Sequence, residues 1–129
     1  MRDYAKAGPT WTDFRGTQWP LITSVRRLKF SYPAHAAIRA HIFHVDGYKC
    51  RQCGLAAIKI PDQYTGRKTL VTDRKDAMGY AICLVVDHIT CLQAGGINEL
   101  ANFQTLCEIC NLRKGREDKL AVTAWRSRQ

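Results

Sequence analysis

The chain predicts a small α+β fold, and three observations carry that expectation. The run 33–44, "PAHAAIRAHIFH", places apolar residues at helical spacing. The runs 81–86, "AICLVV", and 103–107, "FQTLC", are short and rich in strand-forming residues. Two C-x-x-C pairs, Cys50/Cys53 and Cys107/Cys110, offer a staple for a chain of only 129 residues.

Taken in order, residues 1–29 carry Trp11, Trp19 and many charges without clear periodicity. They read as an irregular arm that partly packs on the body. The helix over 33–44 has Pro33 in its first turn, where a missing N–H costs nothing, and Asp46-Gly47 ends it. Its histidines, His35, His41 and His44, read as ordinary helix residues rather than ligands. Residues 55–80 suggest a loose hairpin with Gly66 in its turn. The strand 81–86 runs into Asp87-His88, and 89–101 form a long loop containing Gly95-Gly96. After the strand 103–107, the run 111–126 reads as a helix interrupted by Gly115. Residues 1–30 thus form a basic N-terminal arm, and 31–129 form one folded domain.

Lys and Arg number 20 against 11 Asp and Glu, a formal net charge of +9. Such an excess in a small chain points to a polyanionic partner, nucleic acid first. Residues 1–39 hold seven of the bases (Arg2, Lys6, Arg15, Arg26, Arg27, Lys29, Arg39) against Asp3 and Asp13. No apolar run approaches the roughly 18 residues of a membrane span, and the start lacks the apolar stretch of a signal peptide. The expectation is an intracellular protein without membrane association, in which thiols stay reduced. Two C-x-x-C pairs then indicate one closed, tetrahedral zinc site, since four thiolates complete its coordination. The alternatives are metal-free thiols or disulfides. Cys83 and Cys91 stand outside the pairs and read as small buried apolar residues.

The segments "HVDGYKCRQCG", "LVVDHI" and "GGINELANFQTLCEICNLRK" follow one another in that order. Together they resemble the HNH endonuclease family in its zinc-ribbon-bearing form, over about residues 38–116. Small size and basic character are similar to the stand-alone HNH proteins of bacteriophages. The resemblance implies a ββα-metal finger, two strands and a helix clasping one divalent ion, within a nuclease domain spanning 31–129. It implies His88 as general base, Asn102 as the residue bracing the loop that holds it, and Asp87 and Asn111 as ligands of the catalytic ion. Asn98 is a rival to Asn102, which is preferred because it directly precedes the strand. The four cysteines match the structural zinc site. Two hard oxygen donors suit Mg²⁺ or Mn²⁺ better than zinc. Arg113, Lys114, Arg116 and Lys119 follow on the last helix and are expected to meet the DNA backbone.

The implied activity is metal-dependent hydrolysis of DNA phosphodiesters, nicking duplex DNA as a monomer with no small-molecule cofactor, in the cytoplasm of a bacterial host. The alternative is a non-catalytic zinc-ribbon module that binds nucleic acid. Such a module needs the cysteines and the basic residues but has no use for Asp87, His88 and Asn111 together.

Overall fold

A computed structural model describes residues 8–129. Arg2, Asp3 and Lys6 of the expected arm lie outside the described residues. The remainder of that segment is irregular only in part, since residues 21–29 have no regular structure but a short hairpin precedes them. Strands β1 (Thr10–Thr12) and β2 (Gln18–Pro20) pair antiparallel, with Trp11 opposite Trp19. Asp13 organises the turn between them. Its Oδ1 accepts from the N–H groups of Arg15 and Thr17, both at 2.9 Å, and its Oδ2 accepts from Trp19 Nε1 at 2.8 Å. This is the turn chemistry of an aspartate whose side chain bonds the backbone just ahead of it. Strands of three residues are too short to show a period, which is why the sequence pattern missed them.

Helix α1 (Pro33–Val45) forms as expected, with Pro33 in its first turn. Its inner face, Ala37, Ile38 and Ile42, packs against Trp11 of β1 and Phe103. Ala40 and Phe43 enter the main core with Tyr64, Leu70, Ile82, Leu84 and Leu106. Arg39 is buried as well. Its guanidinium stacks on Phe30, 4.0 Å from the ring centroid, and donates to Gly66 O at 2.6 Å. Gly66 is therefore not a hairpin turn residue. A Cβ there would sit 1.8 Å from the Ala36 carbonyl oxygen, so the glycine lets the 61–69 segment lie against α1.

The hairpin in this region lies further on. Strands β3 (Leu70–Lys75) and β4 (Ala81–His88) pair antiparallel, with a register shift between Val71 and Lys75. Asp76 makes the turn, its Oδ1 accepting from the N–H groups of Met78 and Tyr80. Strand β5 (Phe103–Cys107) completes the order β3-β4-β5. Leu84 faces Cys107 at one end of the β4–β5 ladder, and His88 faces Phe103 at the other. Two single 3-10 turns, Leu92–Ala94 and Leu100–Asn102, shape the connection between them.

Helix α2 (Glu108–Ser127) starts three residues before the expected position and runs straight through Gly115. Its N-cap is Cys107, whose side chain accepts from Cys110 N. An isolated glycine costs a helix only about 1 kcal/mol relative to alanine, too little to stop one of 20 residues. Near its far end Trp125 packs on Gly95, where a Cβ would come within 2.7 Å of the indole nitrogen. The molecule is thus a small α+β fold of two sheets and two helices. No described helix is long and apolar enough to cross a membrane.

Candidate metal centre and strand-end site

The two cysteine pairs converge. The sulfurs of Cys50, Cys53, Cys107 and Cys110 all lie within 4.8 Å of one another. Among the described residues this is the only group of three or more His, Cys, Asp or Glu side chains so placed. Cys53 Sγ is 3.7 Å from Cys107 Sγ. A tetrahedron with metal–sulfur bonds of about 2.3 Å has edges of about 3.8 Å, so this spacing fits a zinc ion and is far too long for a disulfide. All four thiols are free. In each pair the second N–H points at the first sulfur, Cys53 N to Cys50 Sγ at 3.5 Å and Cys110 N to Cys107 Sγ at 3.4 Å.

The electrostatics favour a cation there. Burial works against the Cys50 thiolate, but backbone N–H groups of Cys53, Cys107 and Gln52 outweigh it and hold the thiol down at about 7. Burial pushes the Cys107 and Cys110 thiols up. These sulfurs become fully charged only beside a compensating positive ion, whose binding releases their protons.

The second site lies at the end of β4, beside α2. Asp87 Oδ2 accepts from Gln104 Nε2 at 3.1 Å and lies 3.2 Å from Lys114 Nζ. The same ammonium donates to the His88 carbonyl at 2.9 Å and to both oxygens of Asp118, at 2.7 and 2.8 Å. Burial works against this charge, but Asp118 and Asp87 outweigh it and hold Lys114 above its ordinary value. Lys114 therefore departs from the expected phosphate contact, because its ammonium faces inward between two carboxylates. Arg113, Arg116 and Lys119 are exposed along the same helix. Asn111 is half-buried one turn before Lys114, a spacing that shares a helix face. It lies inside the first turn of α2 and is not the cap.

His88 is held on three sides. Its ring packs on Phe103 at 4.9 Å between centroids, its carbonyl receives Lys114, and its Nε2 bonds Asn98 Oδ1 at 2.7 Å. Asn102 ties the following loop together. Its Oδ1 accepts from Thr90 N at 2.8 Å, and its Nδ2 donates to Thr90 O and Ile97 O. Its backbone carbonyl accepts from Ile89 N at 2.8 Å, immediately after His88. Gly96 allows the tight path, since a Cβ there would meet Thr90 O at 1.8 Å. The two asparagines thus divide the labour, Asn102 on the loop backbone and Asn98 on the imidazole. In the sequence Asn102 stands out by directly preceding β5, whereas Asn98 is only its rival within the same loop.

The helix histidines lie elsewhere. His41 Nδ1 accepts from Phe14 N at 3.0 Å and His35 Nδ1 from Lys29 N at 2.7 Å, while His44 stacks on Phe14 at 4.0 Å. All three serve the packing of the N-terminal segment.

Two antiparallel strands and a following helix, with an acid–imidazole pair at the strand end, define a ββα unit. Residues 74–117, which contain β4, β5 and the first half of α2, match the family model described as HNH endonuclease. Cys50 and Cys53 fall outside it. Neither curated proteins nor solved structures gave a match to the chain.

Proposed function

We propose that the protein is a metal-dependent DNA endonuclease that nicks duplex DNA as a monomer, of the type found in bacteriophages. The observation that carries this reading is the placement of Asp87 and His88 together at the β4 end, joined to α2 through Lys114, inside the HNH match. His88 is the general base. An imidazole can take a proton from water near neutral pH. The hydroxide so formed attacks phosphorus, and the bond to the 3′ oxygen breaks. Asn102 keeps the histidine-bearing loop in shape through its bonds to Thr90 and Ile97.

Asp87 and Asn111 are the residues that would hold a divalent ion such as Mg²⁺ or Mn²⁺. Asp87 Oδ2 is paired with the Lys114 ammonium, so an ion there would use the other carboxylate oxygen or displace the lysine. The bound ion would stabilise charge on the phosphate and the departing oxygen. The four cysteines hold a structural zinc that ties the start of α2 to the 50–53 knuckle. Arg113, Arg116 and Lys119 contact the DNA backbone, and the bases of the first thirty residues add to the attraction.

The test is incubation of the purified protein with supercoiled plasmid and Mg²⁺ or Mn²⁺. Open-circular product is expected, and His88→Ala should lower its rate by roughly 10²–10⁴-fold with melting and DNA binding unchanged. Plasmid that is bound but left intact under both ions would instead identify a zinc-ribbon binding module.

A further inference from the structure

We propose that Asn98 is the positioning residue of His88, and that the backbone of residues 24–26 decides, through it, which imidazole nitrogen carries the proton. This rests on the reading of His88 as the base. The Asn98 side chain is buried, with 7 % of the residue exposed. Its Nδ2 donates to Ser24 O at 2.9 Å and to Arg26 O at 2.7 Å. Carbonyl oxygens only accept, so both amide hydrogens are committed to them. The amide cannot be turned over, because its oxygen would then face two other oxygens. Oδ1 must therefore face His88, and Oδ1 also only accepts. At 2.7 Å, His88 Nε2 has to be the donor. The imidazole is held as its Nε2–H form, and Nδ1 keeps the lone pair that can take a proton from water. Which ring nitrogen is protonated is set by the bond the other one makes.

Packing completes the arrangement. The ring lies against Phe103, with the planes at 46°, and Lys114 pins the carbonyl of the same residue. Turning the imidazole over would sacrifice the Asn98 bond. Ser24 and Arg26 lie 74 and 72 residues from Asn98 in sequence and outside the family match. The segment before α1 is thus a working part of the strand-end site as well as a basic surface.

The experiment uses the full zinc-loaded chain labelled with ¹⁵N, and long-range proton–nitrogen NMR at one fixed alkaline pH. In the parent protein the His88 proton should sit on Nε2 and give a ring N–H resonance protected from exchange with water. In Asn98→Ala that resonance should vanish through exchange. The nicking kcat should fall by about 10–100-fold, the loss typical of a partner that orients a functional histidine, with KM little changed. Asn98→Asp keeps an acceptor for Nε2–H but cannot donate to Ser24 and Arg26. It should retain the Nε2–H resonance if it folds. A parent proton on Nδ1, or an unchanged Nε2–H resonance in folded Asn98→Ala, would overturn the proposal. Should Asn98→Ala fail to fold, the parent spectrum decides alone. A protein that nicks nothing yet shows the protected Nε2–H would remove the nuclease reading and leave the positioning role standing.

Discussion

Lys114 Nζ lies 3.2 Å from Asp87 Oδ2, with each side chain less than one-sixth exposed. A lysine so enclosed differs from its exposed neighbours on α2, and the two kinds should separate experimentally. Lys114→Gln should cost about 2 kcal/mol of stability, because Asp87 and Asp118 are left facing each other without their shared cation. The salt dependence of DNA binding should not change. Arg113→Gln, Arg116→Gln and Lys119→Gln should leave stability almost unaltered, and each should flatten the salt slope by roughly 0.9. Chemical denaturation and binding titrations at several salt concentrations measure both quantities.

Cys107 has two duties, sulfur donor to the four-thiol cluster and N-cap of α2. Cys107→Ser preserves a good capping side chain and removes the thiolate. Any marked fall in melting temperature then reports the metal rather than the cap. One zinc per chain is expected by elemental analysis of the parent protein, and strong chelation should lower its melting temperature to near that of the variant. A parent protein without zinc would exclude this.

Acid should weaken the attachment of the N-terminal hairpin. Burial lowers the His41 pKa, opposed by Asp13 and assisted by His44, and burial followed by Lys29 lowers that of His35. Both rings are held neutral in the folded protein, each accepting a backbone N–H. A group with a depressed folded pKa leaves the unfolded chain binding more protons, so stability rises with pH. The contribution is full above the ordinary histidine value of about 6.5 and is lost as pH falls below it through the lowered folded values. Burial also disfavours the Asp13 carboxylate, but Trp19, Thr17 and Arg15 outweigh it, and its pKa is lowered. A second loss should follow as pH drops below the ordinary carboxylate value of about 3.9. Melting temperatures across this range, with His41→Gln as comparison, provide the check. The variant should show a smaller loss between neutral pH and about 5.5.

Asn111 tests the catalytic ion. Because α2 begins at Glu108, Asn111→Ala removes no cap and places a better helix former in the first turn. Its melting temperature should hold or rise slightly while metal-dependent cleavage collapses. Asn111→His supplies an imidazole nitrogen, so partial activity should return with preference moved from Mg²⁺ toward Mn²⁺, Co²⁺ or Ni²⁺. Retained activity and metal dependence in Asn111→Ala would remove it from the ligand set.

Much of this was legible in the residue order. The α1 period, the β5 run and the cysteine spacing each reflect a local or strongly patterned constraint, and each reappears in space. What stayed hidden depended on distant partners. The β1–β2 hairpin is held by Asp13 and by burial of Trp11 against α1, neither of which leaves a period in three-residue strands. Gly66 resembled a turn residue because close approach to Ala36 and a hairpin turn both call for glycine. The inward course of Lys114 had a signal, an opposite charge four residues on at Asp118. Asn98 had none, since its role depends on carbonyls more than seventy residues away.

The pairing of Leu84 with Cys107 and of His88 with Phe103 belongs to one ladder. A slip of one residue would send Asp87 and His88 to the opposite faces of the sheet. The four sulfurs, by contrast, are anchored on β5: Cys107 ends it, Cys110 follows three residues on, and Arg51 N of the other knuckle donates to Thr105 O at 2.9 Å. The cluster therefore leaves the phase of β4 to the ladder itself and to Lys114, which reaches from α2 to the His88 carbonyl.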